Sequence, residues 1–181
     1  MSAVSTLPPT RLLLICGKNL AARIQRHLDT ILEHPVYRRV EIASDLPAAF
    51  NDQVWDLVIC EQQLDDFNAL DVVHRIKSLG LHVPMVLLSE TGIEDIALRC
   101  LEEGYDQCIA PDEHGFQRLP LLVRTLLSRA AAEQTQRLIK ETLSVSQTHY
   151  LDVFDNTSDL IQCLAADGSF LYTNRAWRET M

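Results

Sequence analysis

The sequence predicts an α/β protein with a doubly wound, five-stranded parallel sheet, followed by a long helix and a short second α+β segment. Two observations support the sheet. Apolar runs alternate with segments whose apolar residues recur at helical spacing, and five such repeats fit into about 120 residues. The 181-residue chain is 47% hydrophobic and 23% charged, which suits an ordinary core. Right-handed crossovers then place helices on both faces of the sheet.

The five strands are predicted from short runs rich in apolar residues, and the most continuous runs are typical of strands buried on both faces. The predicted strands are residues 11–16, 39–43, 56–60, 84–88 and 107–110. Asn19 is predicted to cap the first helix, and Ser44 or Asp45 the second. Gly80 ends the third helix, and a fourth covers residues 93–101.

From Phe116 onward the pattern predicts one long helix, with Pro120 in its first turn. Part of this helix carries residues at alternating steps of four and three, which is the spacing of a coiled-coil seam. The seam residues are Ile139, Leu143, Tyr150 and Val153, with the polar Ser146 between them. We expect this seam to pair with a second copy in a parallel homodimer. A solvent-exposed connector is the alternative.

The last part of the chain changes character again. Residues 158–164 alternate between polar and apolar side chains, Asp167 and Gly168 predict a tight turn, and residues 170–172 continue as a second strand. Asn174 is predicted to cap a short helix after this hairpin.

Composition restricts the classes of function. The net charge of −9 argues against binding of a nucleic-acid backbone, which needs a basic face. The longest apolar runs are far shorter than a membrane span requires, and no signal segment precedes Pro9. We therefore expect a cytoplasmic chain without nucleic-acid or membrane partners. Among the five cysteines, Cys16 and Cys60 fall at neighbouring strand ends, which leaves a redox switch as a lesser alternative to burial as small apolar residues.

Four stretches resemble the receiver domain of two-component response regulators. They are RLLLICGKN, DLVICEQQLDDFNALDVVHRIK, VPMVLLSETG and ALRCLEEGYDQCIAP, within residues 11–129. The resemblance implies a flavodoxin-like fold and phosphoryl transfer to an aspartate. In that family an acidic pair after the first strand holds Mg²⁺, the acceptor follows the third strand, a hydroxyl residue the fourth, and a lysine the fifth.

This sequence departs from the family at nearly every such position. The replacements are Cys16 and Gly17 for the acidic pair, Glu61 for the acceptor aspartate, Ala110 or Pro111 for the lysine and Cys108 for the aromatic switch residue, with only Ser89 retained as the hydroxyl. We therefore expect a degenerate receiver without catalytic residues, without a metal and without Mg²⁺-dependent phosphorylation. Glu61 either mimics the charged state or forms a structural ion pair with Lys18.

The stretch FDNTSDLIQCLAADGSFLYTNRAW resembles the start of a PAS domain, a small sensor module. The predicted domains are a receiver at 10–130, a helical linker at 131–152 and the N-terminal part of a PAS domain at 153–181. We expect no cofactor in the receiver, and the PAS ligand is unknown. The predicted function is a non-catalytic relay in two-component or phosphorelay signalling, acting through dimer packing. The alternative is the regulatory N-terminus of a hybrid histidine kinase or of a cyclic-di-GMP cyclase or phosphodiesterase.

Overall fold

The computed structural model describes residues 8–90 and 104–180, apart from the side chains of residues 144–151. The chain divides into two compact units, Met1–Ala131 and Ala132–Met181, and each is described by itself. The helix predicted at residues 93–101 lies outside the described residues.

The first unit contains a five-stranded, wholly parallel sheet with the spatial order β2-β1-β3-β4-β5. The strands are β1 Arg11–Ile15, β2 Val36–Val40, β3 Leu57–Glu61, β4 Met85–Leu88 and β5 Gln107–Ile109. This confirms the predicted fold class. Strand order reverses at β1, so the carboxyl ends of β1 and β3 lie at the crevice where open α/β sheets hold their functional groups.

The second strand lies three residues earlier than the predicted range of 39–43. It is an edge strand, since it pairs with β1 alone, and several of its side chains remain partly exposed. An edge strand needs no continuous apolar run, so the sequence signal there is weak. The consequence is that Glu41, placed inside a strand by the prediction, follows β2 directly at the carboxyl edge of the sheet.

In the described part of the chain, three helices connect the strands, namely α1 Lys18–Leu28, α2 Leu46–Asp52 and α3 Ala69–Ser78. The predicted cap of α1 is wrong, because Gly17 occupies the N-cap position and Asn19 lies inside the helix. Asp45 precedes α2 as predicted, although its side chain makes no capping hydrogen bond. Helix α3 is capped more strongly, by reciprocal hydrogen bonds between Asn68 and Asp71. Gly80 follows it with φ of +64°, which glycine adopts without strain.

The core consists of two apolar layers, one on each face of the sheet. Successive residues of a strand face opposite sides, so β1 sends Leu13 and Ile15 into one layer and Leu12 and Leu14 into the other. Helices α2 and α3 cover the first layer, whereas α1 and the start of the long helix cover the second. All four of these β1 side chains are fully buried.

The long helix α4 spans Glu113–Asn156 and continues from the first unit into the second. It begins three residues before Phe116, where the carboxylate of Asp112 accepts a hydrogen bond from the Gly115 amide at 2.7 Å. Pro120 therefore lies inside the helix, and its predicted place in the first turn is wrong. Four buried side chains hold this part of α4 against the sheet, namely Phe116, Leu119, Val123 and Leu126. None of the described helices is both long and apolar enough to cross a membrane.

The second unit contains an antiparallel hairpin and a short helix. The elements are β6 Gln162–Leu164, β7 Phe170–Thr173 and α5 Arg175–Thr180. Gly168 lies in the turn with φ of +85°. The buried Asn174 caps α5 as predicted, since its Oδ1 accepts the Trp177 amide at 3.1 Å. The same side chain donates to the carbonyls of Phe154 and Asp159, which ties the end of α4 to the hairpin.

Asp155 makes a second set of contacts at the end of α4. Its Oδ1 accepts hydrogen bonds from the Tyr172 hydroxyl at 2.8 Å and the Arg175 amide at 2.9 Å, and Arg178 lies 3.4 Å away. The Tyr172 hydrogen bond is the main cause that lowers the pKa of Asp155 below its ordinary value of 3.8.

Candidate functional site

The carboxyl edge of the sheet brings Glu61 and Gly17 into direct contact. Glu61 is the last residue of β3, and Gly17 follows β1 and begins α1. The Gly17 amide donates a hydrogen bond to Oε2 of Glu61 at 3.1 Å. This contact satisfies one of the amides that every helix leaves free at its N-terminus, and it places the negative charge at the positive end of the helix dipole.

Two further charged residues at the end of β2 adjoin this contact. Arg39 forms an ion pair with Glu41 and donates a longer hydrogen bond, of 3.5 Å, to the Cys16 carbonyl. A Cβ atom placed on Gly17 would lie 3.9 Å from Oε1 of Glu41 and 3.9 Å from Oε2 of Glu61. Glu41 and Glu61 therefore flank Gly17. We call Cys16, Gly17, Arg39, Glu41 and Glu61 the strand-end cluster.

The ligands of this cluster do not fit the magnesium site that the receiver resemblance implies. Mg²⁺ prefers carboxylate and water oxygens in octahedral geometry. Cys16 and Gly17 offer no carboxylate, Glu41 is paired with Arg39, and one oxygen of Glu61 accepts the Gly17 amide. Within the described residues, no group of three or more His, Cys, Asp or Glu side chains is arranged to hold a metal ion.

Of the two alternatives for Glu61, the ion pair with Lys18 is not formed between these two described residues. Among the described residues, no ion pair joins these two side chains, and Glu61 instead contacts the backbone one residue earlier, at Gly17. Lys18 lies exposed in the first turn of α1. The physical reason is that a backbone amide held at a helix start needs no side-chain ordering, whereas a lysine loses rotamer entropy when it pairs.

The remaining predicted site positions lie along the same edge but have other contacts. Ser89 is buried and its hydroxyl donates to the side-chain oxygen of Gln62, which follows Glu61. Its amide donates to the Ile109 carbonyl at 3.1 Å, which joins the ends of β4 and β5. The carbonyl of Pro111 accepts a hydrogen bond from Arg23 of α1 at 3.3 Å.

Cys108 and Ala110, the two other replacements near β5, are only partly buried, and Cys108 packs against the first core layer. A nearby aromatic residue that the sequence reasoning missed is Tyr105. It is almost fully buried, and its hydroxyl donates to the Ala69 carbonyl at the start of α3. The sequence reasoning missed Tyr105 because it lies three residues before Cys108, where the resemblance places the aromatic residue, and directly after Gly104.

The two strand-end cysteines do not form a redox pair in this fold. Cys60 lies in the first core layer and Cys16 in the second, so the two side chains leave the sheet on opposite faces. A disulfide requires Cβ atoms that face each other. Burial raises the pKa of the Cys16 thiol to about 12, with a further increase from Glu61, and it also raises the pKa of Cys60. Both thiols are therefore protonated, unreactive core side chains.

The sequence reasoning also missed Arg39 and Glu41. Both fell inside the strand predicted at 39–43, and neither was assigned to the candidate site. With the strand at Val36–Val40, Glu41 becomes a strand-end carboxylate like Glu61. The apolar Val40, whose side chain is buried, ends the strand. A predicted strand that ended at Val40 would have placed Glu41 at the strand end.

Solved structures with a similar fold are receiver domains. The chain superposes with a TM-score of 0.62 on the signal receiver domain of a protein described as a Luxo repressor from Vibrio parahaemolyticus. That match covers 71% of this chain and 97% of the other, at 21% identity. The first unit has the receiver fold. The receiver domain of an HD domain-containing protein from Pseudomonas fluorescens gives a TM-score of 0.61 at 19% identity, over 74% of this chain and 98% of that domain.

Curated proteins similar in sequence include the transcriptional regulatory protein CusR of Escherichia coli. It is 35% identical over 78 residues, which are 43% of this chain and 34% of CusR. The chain spans about a third of the length of the curated relatives it matches. No family model matches the chain.

The prediction that the chain has no nucleic-acid partner is contradicted by these relatives, which are named transcriptional regulatory proteins. The prediction used the net charge of −9, which is an average over the whole chain. Nucleic-acid contacts need only a local basic surface, and such a surface can belong to a different domain of the same protein. A net negative charge over the whole chain therefore does not exclude a nucleic-acid partner.

Proposed function

We propose that this chain is a non-catalytic relay module of two-component or phosphorelay signalling, whose receiver domain works without phosphorylation. The observation that carries this proposal is the hydrogen bond of 3.1 Å between the Gly17 amide and the Glu61 carboxylate. At the position where the family resemblance implies an acceptor aspartate, the carboxylate is held by the chain's own backbone.

Three features of the carboxyl edge of the sheet support a pseudo-receiver. The acceptor position carries glutamate, one methylene longer than aspartate. Cys16 and Gly17 supply no metal ligands, and neither Ala110 nor Pro111 carries the positive charge that stabilises a transferred phosphoryl group. Misplacement of a reacting group by about 1 Å costs roughly a hundredfold in rate. These changes together disfavour phosphorylation more strongly than any one of them.

The experiment is incubation of the full chain with acetyl phosphate and Mg²⁺, followed by intact-mass measurement of a phosphoryl adduct. We expect no adduct on the wild type. A variant that restores the family residues tests the sensitivity of the assay. It carries Cys16→Asp, Gly17→Asp, Glu61→Asp and Pro111→Lys. A Mg²⁺-dependent adduct on the wild type that disappears in Glu61→Gln would overturn the proposal.

The output of this module is proposed to pass through α4. Apolar side chains of the predicted seam are exposed along this helix, namely Ile139 at 64%, Leu143 at 57% and Val153 at 56%. The side chain of Tyr150 lies outside the described residues. A long helix with an apolar stripe gains stability when that stripe is covered, so we propose that two copies pair along it. Signalling would then require two discrete packings of the pair.

The second unit is proposed to be the N-terminal part of a PAS domain at 153–181, with a helical linker at 131–152 after a receiver at 10–130. Its support is the hairpin, the Asp167-Gly168 turn and the helix capped by Asn174. We propose a cytoplasmic location, in keeping with the two-component role. A larger enzyme that carries this segment as its regulatory N-terminus, such as a hybrid histidine kinase or a cyclic-di-GMP enzyme, stays a prediction. Assay of the full-length protein for those two activities tests it.

A further inference from the structure

Two carboxylates of the strand-end cluster flank the start of α1. Glu41 and Glu61 each place an oxygen 3.9 Å from the position of a Cβ atom on Gly17. Gly17 has ordinary extended backbone angles, with φ of −60° and ψ of 156°, so its lack of a side chain is not needed for the turn. Neighbouring like charges repel each other, and a positive charge beside them offsets that repulsion.

Arg39 supplies that charge from within the chain. Its Nη1 forms the ion pair with Glu41 and lies 3.5 Å from the Cys16 carbonyl, which is the backbone oxygen immediately before Gly17. The guanidinium therefore contacts both a carboxylate and a strand-end carbonyl, which are the two kinds of oxygen that a hard divalent cation would use.

We propose that Arg39 is the built-in cation of the strand-end cluster and takes the place of a divalent ion there. This inference deepens the proposed function and rests on it, since it explains how a receiver without a metal balances the charge at its carboxyl edge. The guanidinium gives the cluster a positive charge that does not depend on metal supply.

The neighbouring residue on β2 provides a matched control. Arg38 also forms an ion pair, with Asp52 at the end of α2, and its side chain is exposed to a similar degree as that of Arg39, 32% against 36%. Adjacent residues of a strand point to opposite faces. Removal of Arg38 thus changes the net charge of the chain by the same amount without touching the strand-end cluster.

The experiment is titration of the full chain with Mn²⁺, a probe for divalent ions, with the free ion measured by electron paramagnetic resonance. Wild type, Arg38→Gln and Arg39→Lys should show no saturable site up to millimolar Mn²⁺. Arg39→Gln should gain a site, with affinity at least roughly tenfold higher than wild type, because a unit positive charge about 5 Å away no longer repels the ion. The double variant with Arg39→Gln and Glu41→Gln should lose that site again.

Two results would overturn the inference. One is saturable Mn²⁺ binding by the wild type that is lost in Glu61→Gln. The other is equal behaviour of Arg39→Gln and Arg38→Gln in chains whose circular dichroism shows them to be folded. Should Arg39→Gln fail to fold, Arg39→Met takes its place, because it also removes the positive charge and must gain the site. Failure here leaves the acetyl phosphate experiment unaffected, because that measurement reads the covalent adduct and not the bound ion.

Discussion

Phe116 anchors α4 to the rest of the first unit, and its replacement by leucine tests that anchor. The ring is fully buried, the guanidinium carbon of Arg23 lies 4.3 Å from its centroid, and the His27 ring stacks on it at 5.3 Å. Both partners belong to α1. Leucine keeps an apolar side chain in the second core layer but removes the aromatic face that Arg23 and His27 contact.

The expected loss follows from these two ring contacts. A cation over an aromatic ring at an exposed site contributes about 0.5–1 kcal/mol. A stacked aromatic pair contributes about 0.5–1.5 kcal/mol beyond the burial of area. Phe116→Leu should therefore lower the free energy of unfolding of the first unit by about 1–2.5 kcal/mol, whereas Phe116→Ala should lower it by about 3–5 kcal/mol because a cavity remains.

The assay is urea unfolding followed by tryptophan fluorescence. A Trp177→Phe background leaves Trp55, which is buried in the first unit, as the single reporter. With an m-value of about 2 kcal/mol/M, the midpoint should fall by about 0.5–1.2 M in Phe116→Leu. Leu121→Ala is the control, since Leu121 is 73% exposed on the same helix and should cost less than about 0.5 kcal/mol.

A double-mutant cycle isolates the contact with Arg23. Arg23→Met also removes a hydrogen bond to the Pro111 carbonyl, but the cycle with Phe116→Leu cancels that loss. We expect a coupling of about 0.5–1 kcal/mol. A coupling indistinguishable from zero, or a Phe116→Leu effect no larger than that of Leu121→Ala, would refute the reasoning that these contacts anchor α4.

Three further predictions concern the rest of the chain. The hydrogen bond from Tyr172 is the main cause that lowers the pKa of Asp155 in the folded chain. The ionised Asp155 carboxylate therefore stabilises the second unit above pH 3.8, and this stabilisation is lost as pH falls through the folded pKa. Acid unfolding of the second unit should shift to higher pH in Asp155→Leu. Light scattering should give a dimer for wild type and for Leu138→Lys but a monomer for Leu143→Lys; a monomeric wild type contradicts the seam. Iodoacetamide and mass spectrometry should leave Cys16 unlabelled at neutral pH, given its pKa of about 12; rapid labelling in the folded chain contradicts its burial.

The parts of the fold that the sequence predicts well are those that bury continuous apolar runs. Strands β1 and β3 lie inside the sheet, are covered on both faces, and were predicted to within one residue. The edge strand β2 was displaced by three residues because exposed positions tolerate charge and leave no distinct pattern. The start of α4 was misplaced for a different reason, since the Asp112 cap is a local contact that apolar spacing does not report.

The contrast between interior strands and the edge strand also explains which residues of the candidate site the sequence identifies. Cys16, Gly17 and Glu61 were identified because they lie at the ends of interior strands, which the sequence places to within one residue. Arg39 and Glu41 lie at the end of the edge strand, so an error of three residues was enough to hide them. The contact between Glu61 and Gly17 could not be foreseen either, because a glycine amide carries no side-chain signal and its direction depends on the start of α1.

A chain of contacts within the first unit leads from the strand-end cluster to α4. The Gly17 amide binds Glu61, and Gly17 precedes α1, whose Arg23 and His27 side chains contact the Phe116 ring. Spatial continuity alone does not make a signal pathway, because coupling requires an element with two arrangements that both ends favour differently. The proposed role of Arg39, a permanent part of the chain, gives the strand-end cluster a single arrangement. The relay proposed for α4 therefore needs its two arrangements in the helix pair itself, with the strand-end cluster as a fixed support of α1.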